Sequence, residues 1–507
     1  MTYMAVNQKS IAKYIVTLRK RRGWTQADLA TSLGTSQSAV TRMEAGQQNF
    51  SLDMLNRLSE VFGQEIITPA SSTGMTLKIN GGKPLSGNVE VNTSKNAAVC
   101  LLLASLLNKG VTTLQHVPMI EEVYRIIEVL RSIGVKVEWQ DHDVVITPPK
   151  RLKLDDMDAK AARRTRSVIM LMGVLMHSKK DFIIPHAGGC KLGARTVEPH
   201  LYGLESFGVH VASRNKRYEV TVKKRSANEI VLYEAGDTVT ENVLMAAALT
   251  PGKTIIKFAS ANYMVQDLCF MLEKFGVEIE GIGTTTMTVH GIKEINKDVS
   301  YQISEDPIEA MFFISLAAVT KSELVIKRSP IDFLEIELLK LEKMGFEHKR
   351  SKVYKAKNGR TNLVDITTIP TSKLHAPEEK IAPRPYPGLN IDNLPFFVPI
   401  AAVARGRTLI HDWVYENRAI YYTELNKLGA QIDLADVHRV FITGPTKFVA
   451  GEIVSPPALR PAVIILIAML AAPGTSTLRN VYSINRGYED LPGRLLEIGA
   501  EITVIDS

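Results

Sequence analysis

From residue 75 onward, hydrophobic and polar positions recur in one order. An apolar helix rich in Ala, Leu and Met leads to a basic or glycine turn, then to a short β-branched strand, then to a second helix that ends in a hydrophobic residue followed by glycine. Another strand begins at once, as in Gly134-Val135-Lys136-Val137-Glu138. A glycine helix stop before a strand is typical of α/β units, so an all-helical chain is disfavoured.

The hydrophobic-glycine pair closes six such units. Successive closing glycines lie 68 to 84 positions apart, so each unit is longer than a solenoid module and has the size of a folding unit. The six pairs are Ile133-Gly134, Phe207-Gly208, Phe275-Gly276, Met344-Gly345, Leu428-Gly429 and Ile498-Gly499. The longest interval contains Thr367 to Pro387, which is rich in proline and charge and is predicted to form an extended surface loop. Six similar units predict a duplicated architecture.

The first part of the chain has a different pattern. Between Ile11 and Phe62 the apolar positions follow a helical period, with one short helix opening at Gln26, a turn at Gly34 and a second helix over Ser36 to Glu44. The residues predicted to pack inward are Leu29, Ala30, Val40 and Met43. The residues predicted to stay exposed are Gln37, Ser38, Thr41 and Arg42, whose amide, hydroxyl and guanidinium groups suit base edges in a major groove.

Charge changes this picture only at the N-terminus. The formal net charge of the chain is +8, and residues 1–74 contain eight basic against five acidic side chains, a net of +3. Four of the positive charges are contiguous at Arg19 to Arg22. This run predicts either a solvated helix end or a patch that faces phosphates.

Composition limits the class of protein. With 507 residues, 45% of them hydrophobic, the chain should hold about three domain-sized units of an ordinary globular protein. Its three cysteines, Cys100, Cys190 and Cys269, are too few for a disulfide framework, and no Cys/His cluster has zinc spacing, so no metal is predicted. The polar N-terminus and the short apolar run Ala462 to Ala472, interpreted as a buried helix, predict a cytoplasmic protein without a membrane segment.

One loop carries candidate chemistry. Gly188 to Arg195 places a thiol between the pair Gly188-Gly189 and Gly193, with a guanidinium five residues after the thiol. Such a loop can move, and its backbone N–H groups and arginine can hold an anion near the thiol. The alternative is a cysteine that only packs in a turn.

The N-terminal segment resembles the Cro and phage-repressor helix-turn-helix family. The resemblance rests on Gln-x-x-Leu-Ala from Gln26, the central Gly34, Ser36 and the closing hydrophobic-Glu pair at Glu44. It implies a DNA-binding domain over residues 1–68, a linker over 69–74, double-stranded DNA as a partner and a possible homodimer. The implied DNA contacts are Gln26, Gln37, Ser38, Thr41 and Arg42. A small helical domain kept for dimerisation is the alternative.

The remaining chain resembles the enolpyruvyl transferases, in the branch that acts on a sugar nucleotide. The resemblance rests on the Cys190 loop, the pair Lys95-Asn96 and the six repeats, and it covers Met75 to Ser507. It implies an inside-out α/β barrel of two pseudo-threefold lobes. One lobe would combine 75–94 with 300–507, and the other would span 95–299 with a catalytic loop at 186–199. The active site would lie in the cleft between them.

The resemblance also implies roles for single residues. Lys95 and Arg418 would bind phosphoenolpyruvate, Cys190 would act as general acid or transient nucleophile, and Asp332 would take the proton of the attacking sugar hydroxyl. Alone, an aspartate at position 332 is a plausible helix N-cap. The further implied substrate contacts are Asn96, Arg166, Arg195, Thr196, Val197, Glu198, Pro199, Val353 and Asp392, and Asn485 to Glu489 resembles the family's terminal Arg-Gly-Tyr-Glu.

The implied reaction transfers the enolpyruvyl group of phosphoenolpyruvate to UDP-N-acetylglucosamine for peptidoglycan synthesis, and it requires no cofactor. The sequence departs from the family's motifs at two places that concern this reaction. Thr196 stands where the family usually has Pro, and Asp392 is followed by Asn393-Leu394-Pro395 where the family has a different sequence. One alternative is a transcriptional regulator that senses sugar nucleotide through a transferase-like body. Another is the shikimate-pathway enolpyruvyl transferase, which the Gly-Gly-Cys loop disfavours.

Overall fold

The structure is a computed structural model that describes residues 12, 15–16, 18–20, 22, 24–47, 54, 57–58, 61–62, 75–188 and 196–505. The chain divides into two compact units, one up to Gly74 and one from Met75.

The first unit contains the two predicted short helices, α1 (Gln26–Leu33) and α2 (Gln37–Glu44). Thr25 and Asp28 form a capping box at the start of α1, and Gly34 ends that helix in the left-handed conformation at φ 60°. The predicted inward residues are buried, and the predicted exposed ones lie on the opposite face of α2. A small core holds this unit together, made of Ile15, Leu18, Leu29, Ala30, Leu33, Val40, Leu58 and Phe62.

The basic run Arg19 to Arg22 is not a uniform charged surface. Arg19 is largely buried and its Nε donates to Glu44 at 2.5 Å, while the Arg22 guanidinium donates to the carbonyl of Val61 at 2.8 Å and lies over the Trp24 ring. The prediction of a solvated end or a phosphate-facing patch is therefore wrong for Arg19, whose guanidinium is held by Glu44. Lys20 and Arg22 are exposed, so both interpretations remain open for them.

The second unit contains twenty-three strands among the described residues. Those before residue 303 are β1 (Thr76–Gly81), β2 (Ser86–Glu90), β3 (Thr112–Gln115), β4 (Lys136–Gln140), β5 (Asp143–Thr147), β6 (Asp181–Pro185), β7 (Val209–Arg214), β8 (Arg217–Val222), β9 (Glu229–Val231), β10 (Gly252–Lys257), β11 (Glu278–Glu280), β12 (Thr286–Gly291) and β13 (Val299–Gln302). Those after it are β14 (Glu323–Pro330), β15 (Glu347–Arg350), β16 (Tyr354–Lys355), β17 (Asn362–Ile369), β18 (Gly406–His411), β19 (Gln431–Leu434), β20 (Arg439–Gly444), β21 (Glu452–Val454), β22 (Gly474–Arg479) and β23 (Glu501–Ile505).

These strands form six sheets, as six repeats predict. Three sheets make up the first sheet group, with strand orders β21-β22-β1-β23, β15-β17-β14-β2 (β16 also pairs with β17) and β18-β20-β19. Three others make up the second sheet group, with orders β13-β3-β5-β4, β6-β8-β7 and β11-β12-β10-β9. Most neighbours are antiparallel, and the pairs β2/β14, β3/β13, β9/β10 and β21/β22 are parallel.

The α-helices of this unit are α3 (Lys95–Ala104), α4 (Glu121–Ser132), α5 (Ala159–Ala162), α6 (Leu171–Leu175), α7 (Glu198–Glu205), α8 (Asp237–Ala248), α9 (Tyr263–Phe275), α10 (Pro307–Thr320), α11 (Glu335–Lys343), α12 (Phe397–Val403), α13 (Leu459–Ala471), α14 (Tyr482–Asn485) and α15 (Leu491–Glu497). Its 3₁₀ helices cover Ser105–Leu107, Leu154–Asp156, Ser167–Met170, Ile331–Phe333, Leu394–Phe396 and Ala419–Leu428. In the described part of the chain, no helix has the length and apolar character needed to cross a membrane.

The most apolar helices are enclosed, whereas the sheets leave one face in solvent. All fourteen residues of α10 are buried, as is the run Arg460 to Leu470 of α13, which confirms the buried helix predicted there. The strands instead alternate between buried and exposed positions, as in β18 and β22. A helix that is apolar on all sides must be enclosed, whereas an antiparallel sheet can leave one face in water. The arrangement is therefore the predicted inside-out α/β fold.

The six closing glycines all take the left-handed conformation. Their φ angles are 92° at Gly134, 77° at Gly208, 98° at Gly276, 88° at Gly345, 89° at Gly429 and 90° at Gly499. Only glycine adopts this conformation readily, and it lets the last turn of a helix lead directly into the next strand. The repeat pattern in the sequence is thus a repeated backbone turn.

The chain crosses between the two sheet groups at residues 91–94 and 303–306. The crossings pair with each other, because Ser94 N–H donates to Ser304 C=O and Asp306 N–H donates to Asn92 C=O, each at 2.8 Å. Strand β13 pairs with β3 of the second sheet group, so the crossing lies a few residues beyond the predicted boundary at 300.

The predicted surface loop from Thr367 to Pro387 needs correction. Its first three residues end β17, and Ile381 is buried because its backbone bridges to Ile410 of β18. The segment 383–388 lines the cavity described below. The interval is therefore a loop that runs along the edge of a sheet and then lines the cavity.

Replacement of Gly499 by alanine tests the repeated turn. A Cβ there would meet no atom within 4 Å, so the loss should be conformational, about 1 kcal/mol of unfolding free energy. Asn, which tolerates the left-handed region better, should lose less. Urea denaturation of the wild type, Gly499→Ala and Gly499→Asn measures both, and equal stability of all three proteins would contradict the argument.

Candidate functional site

One large cavity, about 960 Å³ in volume, lies between the two sheet groups. The second group contributes α3, the segment 196–200 and the start of α8, and the first group contributes residues around Asp332, Asp392, Arg418, Arg460 and Arg486. This volume lies at the upper end of the range found for small-molecule sites.

The cavity brings together most of the residues predicted from the sequence. Those lining it are Lys95, Asn96, Arg166, Thr196, Pro199, Asp332, Asp392 and Arg418. Val197 and Glu198 lie beside the lining without belonging to it, and Val353 is 61% exposed in the turn before β16, away from the cavity. Cys190 and Arg195 lie outside the described residues.

Lys95 and Asn96 form the first turn of α3, directly after the first crossing. Ser94 caps the helix by accepting a hydrogen bond from the backbone N–H of Ala97 at 3.2 Å, and the amide of Asn96 donates to the Tyr263 hydroxyl at 3.1 Å. A positively polarised helix N-terminus and a lysine side chain thus meet at one wall of the cavity, an arrangement that favours an anion.

Glu122 joins this lysine to the other sheet group. Its carboxylate accepts from Arg486 Nη2 at 3.0 Å and from the Thr165 hydroxyl at 2.9 Å, and Lys95 Nζ lies 4.0 Å away. Burial alone would raise the pKa of Glu122, but the charges of Lys95 and Arg486 outweigh it and hold that pKa below its ordinary value. Sequence reasoning missed Glu122, which looks like an acidic residue in the first turn of a helix.

Arg418 is fixed by a buried ion pair. Its guanidinium is 1% exposed and donates to both oxygens of Asp412, from Nε at 2.5 Å and from Nη2 at 2.9 Å. The hydroxyl of Tyr422 donates to the same carboxylate at 2.6 Å, and the ring of Tyr415 lies 4.3 Å from the guanidinium carbon. Burial opposes the charge, yet these contacts raise the pKa of Arg418, so it stays cationic at the cavity wall.

Asp392 connects two arginines. Its carboxylate lies 3.4 Å from Arg460 Nη2 and 3.8 Å from Arg418 Nη1. Arg460 was not predicted, since in the sequence it precedes a proline at the start of an apolar helix. Asn393, which follows Asp392 and departs from the family's usual motif, has a structural role. Its buried side-chain amide donates a hydrogen bond to Glu337 at 2.9 Å.

Asp332 lies in the 3₁₀ turn that follows β14. The side-chain amide of Asn362 donates to its carboxylate at 2.9 Å. It does not cap α11, whose N-cap position is Leu334. The structure therefore removes the N-cap alternative and leaves a carboxylate that faces the cavity.

The residues that border 189–195, Gly188 and Thr196, both contact the stretch from Arg163 to Arg166. A Cβ on Gly188 would lie 1.5 Å from the carbonyl oxygen of Arg163, so only glycine fits there. Arg166 Nη2 donates to the carbonyl of Thr196 at 2.8 Å, and the Thr196 hydroxyl accepts from the Glu198 N–H at 3.1 Å. Thr196, the second departure, thus supports the start of α7.

His200 joins this segment to α8. It is buried, with Thr238 Oγ1 at 3.4 Å from Nε2 and Asn242 Nδ2 at 3.2 Å from Nδ1. Burial, aided by the charge of Arg166, lowers the pKa of His200 to about 3, so the ring is neutral. It links the segment at 196–200 to α8 within one wall of the cavity.

The two cysteines among the described residues lie away from solvent. Cys100 and Cys269 are fully buried in α3 and α9. Burial raises the pKa of both thiols, and the neighbouring Glu241 raises that of Cys100 further. A thiol held in its protonated form is a poor nucleophile.

In the first unit, α2 presents the predicted reading face. Gln37, Ser38, Thr41 and Arg42 are exposed on it. Gln26 is half-buried: its amide donates to Glu44 at 2.8 Å and its oxygen accepts from the Thr41 hydroxyl at 3.0 Å. Gln26 thereby positions Thr41.

Comparison with known proteins identifies both units. The family profile described as EPSP synthase (3-phosphoshikimate 1-carboxyvinyltransferase) matches residues 79–495, and the helix-turn-helix profile matches residues 15–66. Proteins named UDP-N-acetylglucosamine 1-carboxyvinyltransferase are similar: that of Porphyromonas gingivalis is 34% identical, covering 84% of this chain and 98% of its own length. That of Bradyrhizobium diazoefficiens is 33% identical, covering 84% of this chain and 96% of its own length.

Solved structures share the fold. The enolpyruvyl transferase NikO from Streptomyces tendae gives a TM-score of 0.74 at 23% identity, covering 86% of this chain and all of its own. An EPSP synthase from Acinetobacter baumannii gives 0.65 at 20% identity, covering 85% of this chain and all of its own. The chain belongs to the carboxyvinyl (enolpyruvyl) transferase family, among the UDP-N-acetylglucosamine 1-carboxyvinyltransferases, and carries an N-terminal helix-turn-helix domain.

Replacement of Glu122 by glutamine should lower the unfolding free energy at pH 7 by about 1–3 kcal/mol, since charge-assisted hydrogen bonds are lost. Because the folded-state pKa of Glu122 lies below its ordinary value of 4.5, its charge stabilises the protein at higher pH. This contribution is lost as the pH falls from about 5 through the folded-state pKa. The difference in unfolding free energy between wild type and Glu122→Gln should therefore become smaller in acid.

Urea denaturation at pH 7 and at lower pH measures this gap. The matched control is Glu121→Gln, which removes a neighbouring carboxylate that forms a more exposed pair with Arg125 at 3.3 Å and should change stability by less than about 1 kcal/mol. A gap that stays constant with pH would show that the Glu122 charge contributes nothing.

Proposed function

We propose that the chain transfers the enolpyruvyl group of phosphoenolpyruvate to the 3-hydroxyl of UDP-N-acetylglucosamine and releases phosphate, the first committed step of peptidoglycan synthesis. The observation that carries this proposal is the convergence of Lys95, Arg418, Arg460 and Arg486 on one cavity. Its acceptor is supported by the names of relatives that match almost over their full length.

The cations suit the donor. Phosphoenolpyruvate carries a phosphate and a carboxylate close together, and guanidinium and ammonium groups bind both. These cations are held in advance: Arg418 by Asp412, Arg460 by Asp392, and Arg486 by Glu122. Groups that need no reorganisation stabilise charge best in a water-poor site.

The proposed reaction has two steps. The acceptor oxygen bonds to C2 of phosphoenolpyruvate, losing its proton to a base, while C3 gains a proton from an acid; this gives a tetrahedral adduct. The adduct then loses phosphate from C2 and a proton from C3, and the double bond forms again. No net oxidation occurs, so no cofactor enters the proposal. Cys190 is the proposed acid or transient nucleophile, and Arg195 its cationic neighbour.

Asp332 is the base proposed from the sequence. Asp392 is a second candidate, favoured by its contacts with Arg418 and Arg460, which place it beside the proposed donor subsite. The remaining proposed substrate contacts are Asn96, Arg166, Thr196 and Pro199. Three further residues are weaker candidates for substrate contact, because they do not line the cavity: Val197, Glu198 and Val353.

The first unit is proposed to bind double-stranded DNA. The exposed Gln37, Ser38, Thr41 and Arg42, together with the helix-turn-helix match, support this role. Readers of this kind bind two half-sites as dimers, so a homodimer on DNA is proposed. Access to DNA supports the cytoplasm as the location.

Lys95→Ala and Cys190→Ala should each lower turnover at least about 100-fold without unfolding, since a general acid or a clamp charge is typically worth that much. Cys190→Asp should retain more activity than Cys190→Ala, because a carboxylic acid can also deliver a proton. Release of phosphate from phosphoenolpyruvate in the presence of UDP-N-acetylglucosamine is the measurement.

Wild-type rates in Cys190→Ala would remove the thiol from the mechanism. A wild-type protein without phosphate release would leave the sensing regulator as the function. The same assay separates the carboxylates: Asp332→Asn should abolish turnover if Asp332 is the base, whereas a severe defect in Asp392→Asn alone would assign the role to Asp392.

Binding of the full-length protein to duplex DNA should weaken steeply as salt rises, because each neutralised phosphate releases counterions. Arg42→Ala should relax the preference for one base pair by about 1–3 kcal/mol if it reads a guanine edge. Fluorescence anisotropy on a randomised duplex pool at two salt concentrations tests both predictions.

A variant lacking residues 1–74 should lose DNA binding and keep transferase activity. A salt-independent or absent signal would leave only the dimerisation alternative.

A further inference from the structure

Two buried polar side chains, Glu337 and Asn393, meet at one wall of the cavity. Glu337 lies on α11 and lines the cavity, and Asn393 directly follows the lining residue Asp392. The side-chain amide of Asn393 donates from Nδ2 to Glu337 Oε1 at 2.9 Å. The other oxygen of each group, Glu337 Oε2 and Asn393 Oδ1, is buried and has no hydrogen-bond partner among the described residues. Unsatisfied buried oxygens cost free energy, so this pair calls for one further hydrogen.

A proton on the carboxyl group of Glu337 satisfies both oxygens. An ionised carboxylate and an amide oxygen only accept hydrogen bonds, so neither serves the other. A carboxylic acid also has an O–H donor, and a planar acid can join a planar primary amide through two bonds, N–H to O and O–H to O. Burial raises the pKa of Glu337 to about 7, although the bonds from Asn393 and Asn390 and the charge of Lys340 lower it. The neutral acid is therefore the form that fits this site.

Charged groups of both signs lie around Glu337. Lys340 is one turn further along α11. The other charged residues that line the cavity from α11 and the elements near it are Asp332, Glu335, Arg384, Asp392 and Arg418. The carboxylates oppose ionisation of Glu337 and the cations favour it, so burial remains the largest influence on its proton.

The loop held by Glu337 carries part of the proposed donor subsite. Glu337 Oε1 also accepts from the backbone N–H of Asn390 at 3.1 Å, so the loop 390–393 is attached at both its ends. Asn390 Oδ1 accepts from the N–H of Asp392 at 2.9 Å. The carbonyl of Ile391 accepts from Arg418 Nη2 at 2.9 Å. Attachment of this loop to Glu337 thus positions one carboxylate and one cation of the cavity.

We propose that Glu337 is a positioning residue that works in its protonated form, with Oε2–H donating to Asn393 Oδ1. The two bonds between acid and amide form the acid–amide ring, which fixes the loop 390–393. Loss of the proton leaves Oε2 beside an amide oxygen without a donor and loosens the loop. Asn393 departs from the family's usual motif, so the ring is not part of that motif. The effect on turnover rests on the proposed function, whereas the ring itself does not.

Infrared difference spectroscopy on the full-length protein detects the proton directly. Subtraction of the Glu337→Gln spectrum from the wild-type spectrum should leave the carbonyl stretch of a protonated carboxylic acid, because glutamine lacks that group yet can form the same two bonds. The band should persist above pH 4.5, the ordinary pKa of glutamate, and disappear as the pH rises through about 7. Glu337→Leu supplies a second reference spectrum. A band lost already near pH 4.5 would overturn the proposal.

Two further variants complete the infrared test. Asn393→Leu removes both bonds of the amide, so the band should move to higher frequency, and an unmoved band would overturn the ring. Glu342→Gln is the matched control, since Glu342 lies on the same helix but pairs with Arg350 at the surface, at 3.1 Å. Its subtraction should leave no such band at neutral pH.

Turnover tests the positioning role. Between about pH 6 and about pH 9, wild-type kcat should fall about tenfold more than that of Glu337→Gln, because ionisation misplaces Asp392 and Arg418 only in the wild type. Glu337→Leu should be impaired at both pH values, and Glu342→Gln should follow the wild-type profile. Identical profiles of wild type and Glu337→Gln would overturn the positioning role. A wild type without turnover would refute the proposed function, and the infrared test would still decide on the ring.

Discussion

The cavity depends on the paired crossings of the backbone between the two sheet groups. The hydrogen bonds from Ser94 to Ser304 and from Asp306 to Asn92 hold the crossings together. Each crossing leads directly into a buried helix, α3 on one side and α10 on the other. Lys95 is the first residue after its crossing, so the same pairing that connects the groups also fixes a cation at their junction.

Buried charge organises the rest of the cavity. Asp412 holds Arg418, Asp392 lies between two arginines, and Glu122 joins Lys95 to Arg486 across the sheet groups. An isolated buried charge is costly, so each cation needs its carboxylate before any substrate arrives. The partners keep the guanidinium groups oriented while leaving them at the cavity surface. The fold thereby holds several cations in fixed positions around one cavity.

The sequence predicted what local patterns encode. The six hydrophobic-glycine pairs mark helix stops because the left-handed turn requires glycine, and the buried helix near residue 462 follows from its unbroken apolar run. The lining residues Lys95 and Asp392 were predicted from the resemblance to family motifs. Glu122 and Arg460 were missed because their partners are distant in the chain, and an acidic residue in a first helical turn has a common local explanation. Arg19 was misread for the same reason: its partner Glu44 lies 25 residues away.

The anchoring of Gly188 and Thr196 on one short stretch has a consequence for how this family can vary. Gly188 packs on the Arg163 carbonyl and Thr196 accepts from Arg166, so both borders of residues 189–195 rest on four consecutive positions. We define residues 163–166 together with residues 188–196 as a cassette. Exchange between relatives should preserve the surroundings of the proposed catalytic thiol only when the whole cassette is exchanged. A change in the backbone at position 163 should disturb the border at Gly188, although Arg163 does not line the cavity.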